Sequence, residues 1–381
     1  MGPLTGIRVI EFAGIGPAPF AGMLVADLGA DVVRIDRPGG PPLSAFVDPA
    51  RDPLGRGKRS IVVDLKHPDA IGVVRRLVGG ADVLLEGFRP GVMERLGLGP
   101  EVCLAWNPRL VYGRMTGWGQ DGPLARRAGH DLAYIAVTGA LHAIGPAGGP
   151  PAIPVNLVGD FGGGALFLVA GVLAALVERA RSGRGQVVDA AIVDGTAVLL
   201  AQLFGFLAAG VWRDRRGENF IDGGAPWYSV YRTRDGRYLA IAAIEPPFYA
   251  ELLRRLGLAE EADLPGQFEI ERWGELRSRI ARVVETRTRD EWVAIFEGSD
   301  ACAAPVLALG EAPAHPHLAA RGTFERIHGV VQPAPAPRFS RTPAAVAGPP
   351  CAPGAHTDAV LQEAGFGADD VGQLRAAGCV A

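Results

Sequence analysis

The sequence predicts an α/β protein with a large Rossmann-like, doubly wound domain and a smaller α+β domain. Short β-rich apolar runs alternate with helical stretches through the first third of the chain, which is the pattern of a parallel sheet covered by helices. Near residue 225 the texture changes to a hairpin followed by Glu/Arg-rich helices. At 381 residues the chain is also longer than one ordinary core.

Arg8 to Phe12 is a β-rich run, Gly14 to Pro19 a Gly/Pro turn, Phe20 to Leu28 helical, and Asp31 to Asp36 a second apolar strand. The pattern continues through Ser60 to Leu65, the helix Asp69 to Val78, and the strands Asp82 to Glu86 and Arg109 to Arg114. A glycine triplet, Gly162 to Gly164, opens a helix to about Arg181; a Ser/Gly turn follows, then Gln186 to Asp189 and a long apolar helix toward Ala209. Residues 1–210 are thus the large domain, and the polar, glycine-containing residues 211–224 a linker. Trp227 to Arg232, the turn Asp235-Gly236 and Tyr238 to Ala243 read as an antiparallel hairpin, and with the helices to about Gly298 they make 225–305 the small domain. In 306–381 a Pro/Ala-rich strap, extended from Pro333 to Pro353, leads to helical segments at Thr357 to Gly365 and Ala368 to Ala377. This tail is expected to return to the large domain or to a neighbouring subunit.

With 38 basic and 41 acidic residues the net charge is -3, so no global field calls for nucleic acid or an anionic membrane. Cys103, Cys302, Cys351 and Cys379 are widely spaced, and no signal peptide is recognised, which favours a reducing cytoplasm. The apolar run Ala165 to Val177 ends at Glu178-Arg179, short of the roughly 20 residues of a membrane span, and reads as a buried helix. The isolated His315-Pro316-His317 pair has no Cys or acidic partners nearby, so no metal site is expected.

Gly14-Ile15-Gly16-Pro17-Ala18-Pro19, with Asp36 about twenty residues on, invites a dinucleotide-binding reading. Pro19 stands where a third glycine should permit close packing, and Pro17 lacks a backbone donor, so a plain strand-to-helix turn is favoured. Basic groups near strand ends, Arg37, the Arg56-Gly57-Lys58-Arg59 cluster, Arg89 and Arg95, suit phosphate oxygens equally well as they suit a solvated surface. Two residues stand in Gly-marked segments with little use in a plain core: His130 in Ala128-Gly129-His130-Asp131, and Asp160 in Gly159-Asp160-Phe161-Gly162. An imidazole and a carboxylate on opposite sides of one carbon can remove a proton on one face and return it on the other. The plainer reading of Asp160 is a helix N-cap, although three glycines after it suggest that a ligand approaches the backbone.

Four segments, Leu4-Thr5-Gly6-Ile7-Arg8-Val9-Ile10-Glu11, Asp27-Leu28-Gly29-Ala30-Asp31-Val32-Val33-Arg34-Ile35-Asp36, Gly87-Phe88-Arg89-Pro90-Gly91 and Gly354-Ala355-His356-Thr357-Asp358, together resemble the family III CoA-transferases along nearly the whole chain. Gly129-His130-Asp131-Leu132-Ala133-Tyr134 is similar to the branch that epimerises 2-methylacyl-CoA thioesters, since the transferases carry another residue at the histidine. The resemblance implies that His130 and Asp160 are the acid/base pair and that Glu245, in Ala243-Ile244-Glu245-Pro246, orients the histidine from the other subunit. In the transferase alternative Asp160 is instead a nucleophile that carries the acyl group. It further implies CoA or thioester contacts at Arg37, Val63, Asp64, Leu65, Lys66, Gly87, Phe88, Arg89, Arg95, Gly129, Asp131, Leu132, Ala133 and Tyr134, with Arg56 and Lys58 as further phosphate candidates. An interlocked homodimer is expected, with a place in fatty-acid metabolism and no cofactor beyond the CoA of the substrate. The Ser44 to Leu54 region, rich in Pro and Asp, is longer than the family pattern.

Overall fold

The structure, a computed structural model, describes residues 2–40 and 48–381. The chain forms two compact units, one of residues 1–138, 155–199 and 316–381, the other of 139–154 and 200–315.

Six parallel strands build the first unit: β1 (Arg8–Phe12), β2 (Asp31–Asp36), β3 (Arg59–Val62), β4 (Val83–Glu86), β5 (Val111–Thr116) and β6 (Val187–Ala191). Their spatial order is β3-β2-β1-β4-β5-β6. β4 and β5 are buried along their whole length, as strands covered on both faces must be. Successive residues feed opposite cores: Ile10, Leu84 and Tyr112 pack with Val74, Leu77 and Leu361, while Val9, Leu85 and Val111 pack with Val25, Leu168 and Val172. The order reverses between β1 and β4, so the connections leaving them diverge and open a crevice at the carboxyl ends of the strands. The C-terminal tail closes back on this unit, with the Asp64 amide donating to the Cys379 carbonyl.

Three departures from the sequence reading concern this unit. The helix expected to open at the glycine triplet starts earlier: Leu157–Ala165 is π-helical and runs into the α-helix Leu166–Ser182. This continuous helix is 26 residues long and its most apolar 18-residue stretch has a mean hydropathy of 2.0, which is long and apolar enough to cross a membrane; only a third of that stretch is buried in the chain. Second, the long helix toward Ala209 is two, Ile192–Leu199 and Ala201–Ala208, which belong to different units. Third, the strap carries an unanticipated short helix, Pro316–Ala320, and a hairpin, Phe324–Ile327 with Val330–Pro333; beyond them, to Pro353, no regular element forms. The first part of the Ser44 to Leu54 region, through residue 47, lies outside the described residues. Asp48 and Asp52 cap two short 3-10 turns in the rest.

In the second unit β7 (Tyr228–Arg232) and β8 (Tyr238–Ala242) form the expected hairpin, and β9 (Ala303–Pro305) adds a third antiparallel strand. Helices Pro246–Leu256, Trp273–Val284 and Arg289–Phe296 cover it through Leu252, Ile280 and Trp292. All four cysteines are free thiols.

Candidate active site

The crevice at the strand reversal is a cleft of 410 Å³ within the first unit. The turn after β1 contributes Ile15 to Ala18, the turn after β4 Gly87 to Pro90, and the end of β5 Met115 to Trp118. Gly129, His130 and Tyr134 line another side, and Asn156 and Asp160 complete it. Thus the two residues singled out from the sequence, thirty positions apart, face one cavity.

His130 sits at the N-cap position of the helix Asp131–Val137 in extended backbone, and its side chain makes no capping bond. The imidazole therefore faces the cleft instead of closing its own helix. Its segment is braced by Tyr134, whose hydroxyl donates to the Gly129 carbonyl at 2.5 Å and whose ring meets Trp118 edge-on at 4.7 Å.

Asp160 is not an N-cap. It lies inside the π-helical turn, where the Phe161 amide donates to the Asn156 carbonyl, five residues back. Phe161 is pinned by stacking on Phe20 at 4.2 Å. Burial pushes the Asp160 carboxyl up to about 6, and the neighbouring Asp131 carboxylate adds to the rise; a hydrogen bond from Asn156 and the charge of His130 oppose it. A carboxyl poised there is available as acid and as base near neutral pH. The glycine triplet serves packing: a Cβ on Gly163 would lie 2.7 Å from the Thr196 amide of the Ile192–Leu199 helix. The backbone that approaches closely is thus the protein's own.

The other expected site residues divide into three groups. Gly87, Phe88, Arg89, Gly129 and Tyr134 line the cleft with His130 and Asp160. Arg37, Lys66, Arg95, Leu132 and Ala133 are exposed and Asp64 and Leu65 half-buried, all outside its wall. Arg56, Lys58 and Val63 are buried. The Arg56 guanidinium grips Asp27 at 2.5 and 3.0 Å and also reaches Gln332 and the Pro333 carbonyl. The Lys58 ammonium lies 2.6 Å from Glu11 and donates to the Pro19 carbonyl. Both cations are engaged inside the fold. Asp131 is buried behind the cleft wall. Glu245 is exposed in the second unit, at the N-cap of the helix Pro246–Leu256.

Sequence reasoning passed over Asn156, Trp118 and Arg127, which also line the cleft. The signal for Asn156 was its place one helical turn before Asp160. Arg127 was hidden among the many arginines of the chain.

CoA-transferase family III matches residues 4–357. The chain is 46% identical to the α-methylacyl-CoA racemase of Mus musculus over 377 residues, covering 97% of this chain and 96% of that one. It is equally 46% identical to the α-methylacyl-CoA racemase of Homo sapiens over 374 residues, with the same coverage. A CAIB/BAIF family protein from Brucella suis superposes with a TM-score of 0.83 at 29% identity, covering 95% of this chain and 99% of that one. The crevice at the strand reversal, with His130 and Asp160 on its wall, and these full-length likenesses agree: the chain belongs to CoA-transferase family III.

Proposed function

We propose that the protein is an α-methylacyl-CoA racemase, interconverting (2R)- and (2S)-2-methylacyl-CoA thioesters by proton transfer through an enolate. The observation that carries this reading is that His130 and Asp160 line one cleft at the sheet's switch point. The 46% identity to two racemases over nearly the whole chain favours it over acyl transfer.

The α-hydrogen of a thioester is a far weaker acid than either conjugate acid of the pair, so the enolate must be stabilised as it forms. His130 serves one face of the α-carbon and Asp160 the other. The amides of Gly162 to Gly164 sit within a continuous helix, so the backbone beside Gly129 is the better place for the thioester oxygen. Arg89 and Arg127, both exposed on the cleft wall, are the cations placed to meet the CoA moiety, which supplies orientation through contacts remote from the reacting carbon. This chemistry needs no redox cofactor or metal.

We further propose a homodimer in which Glu245 of one chain orients His130 of the other. Leu157, Leu166 and Val177 leave an exposed apolar stripe on the 26-residue helix, a surface that a second copy would cover. A reducing, cytoplasmic setting suits the four free thiols.

The test is incubation of a single 2-methylacyl-CoA epimer in deuterated water. The expected result is deuterium at the α-carbon and drift toward an equal mixture of epimers, with His130→Ala and Asp160→Ala each slowing exchange by about 100-fold or more. Absence of exchange with any branched acyl-CoA would overturn the reading. A covalent acyl or CoA adduct on Asp160, seen by mass spectrometry, would assign the transferase chemistry in its place.

A further inference from the structure

Asp131 is buried, yet it is not used as a helix cap or an ion-pair partner among the described residues. Its Oδ1 accepts the backbone N–H of Asp160 at 2.6 Å, and its Oδ2 is buried with no hydrogen-bond partner. The fit is tight from the other side too: a Cβ on Gly159 would lie 2.3 Å from Asp131 Oδ1, so the glycine admits this carboxylate. Asp131 also follows His130 directly in the chain. One side chain therefore ties the backbone of one base to the first helical turn beside the other.

We infer that Asp131 is a positioning residue of the proton shuttle: it holds the Asp160 backbone against the His130 helix and sets its own carboxylate behind the Asp160 carboxyl. The inference rests on the racemase reading and adds to it a residue that acts through Asp160 without touching substrate.

Burial is the larger cause of the Asp160 rise, and among the charged groups Asp131 is the one that adds to it. On its own helix the other titratable neighbours are His130, which opposes the rise, and Tyr134, whose hydroxyl is itself pushed up by burial and by Asp160. The helix Ile192–Leu199 brings Asp194, coupled to Asp189 of β6; β5 brings Arg114, held by Glu86 and Glu94. The helix Pro17–Asp27 brings only Asp27, paired with Arg56, and Leu166–Ser182 carries Glu178, Arg179 and Arg181 in its last turns. From the loops, Arg89 and Arg127 line the cleft.

The competent enzyme carries one proton shared between the two bases, so kcat/KM falls when both are protonated, and the acid limb follows the pair. Asp131→Asn keeps an acceptor for the Asp160 amide but removes the charge. Its acid limb should move down by about one pH unit, with KM changed by less than about twofold. Asp131→Ser, a second variant that is shorter and uncharged, should show the same downward shift together with a lower kcat. The measurement is racemisation by chiral analysis across pH for the wild type and both variants, with melting temperatures to establish folding. A limb unmoved in the folded variants, whatever happens to kcat, would overturn the inference and leave Asp131 as a purely structural brace. If the wild type itself does not racemise, the functional reading fails first, and the two failures are distinguishable.

Discussion

The Asp160 carboxyl carries a cost that its own fold reveals. Burial, with Asp131 behind it, raises the group from 3.8 to about 6. Because the folded value lies above the unfolded one, the group favours folding below the unfolded value near 4, and that contribution is lost as pH rises through about 6. At pH 8 the ionised carboxylate therefore opposes folding. Asp160→Asn should abolish racemisation yet raise stability at pH 8 by on the order of 1 to 2 kcal/mol, with little gain at pH 4. Denaturant melts of wild type and variant at the two pH values check this; equal stability differences at both would show that the raised carboxyl is not the cause. His130 and Asp160 were legible because glycines mark their segments. Asp131 acting on the Asp160 amide was not, since that contact joins residues 29 apart through a π-helical turn.

At the scale of elements, short apolar runs alternating with helical stretches made the strands and most helices readable to within a few positions. The π-turn was unreadable, because a five-residue hydrogen-bond step leaves no mark in a 3.6-residue pattern. β9 was missed because it is three residues, Ala-Ala-Pro, recruited by the edge of a hairpin some 60 residues earlier. The Arg56 to Arg59 cluster is the instructive case: its basic residues look like a phosphate site in sequence, yet Lys58 is a buried pin between β1 and the helix Pro17–Asp27. Burial lowers the Lys58 ammonium and raises the Glu11 carboxyl, and each is held against that penalty by the other. Lys58→Met should thus destabilise the unit by about 3 to 5 kcal/mol, and Glu11→Met added to it should recover much of that loss. Urea denaturation of the single and double variants decides: a double variant as unstable as the single would mean that the pair acts through more than charge compensation. By the same packing logic, Gly163→Ala, which forces the Ile192–Leu199 helix away from the π-turn, should cut kcat more than it raises KM. Steady-state kinetics of that variant provide the check.

The molecule as a whole is where sequence pattern carried least and resemblance most, because the proposed partnership between His130 and Glu245 is set by assembly. The two residues belong to different compact units. If Glu245 is supplied in trans, a dimer of one His130→Ala chain and one Glu245→Ala chain contains one complete site: His130 from the second chain with Glu245 from the first. The other site lacks both. Each homodimeric variant should be nearly inactive, whereas random co-assembly of equal amounts makes half the dimers hybrid, each with one of two sites intact, for about a quarter of wild-type activity. Sedimentation should show a dimer in every case. Supply in cis predicts no recovery, because no chain would then hold both residues, and a monomeric wild type would remove the basis for complementation altogether. Recovery near a quarter requires that both residues serve one site and that they come from two chains.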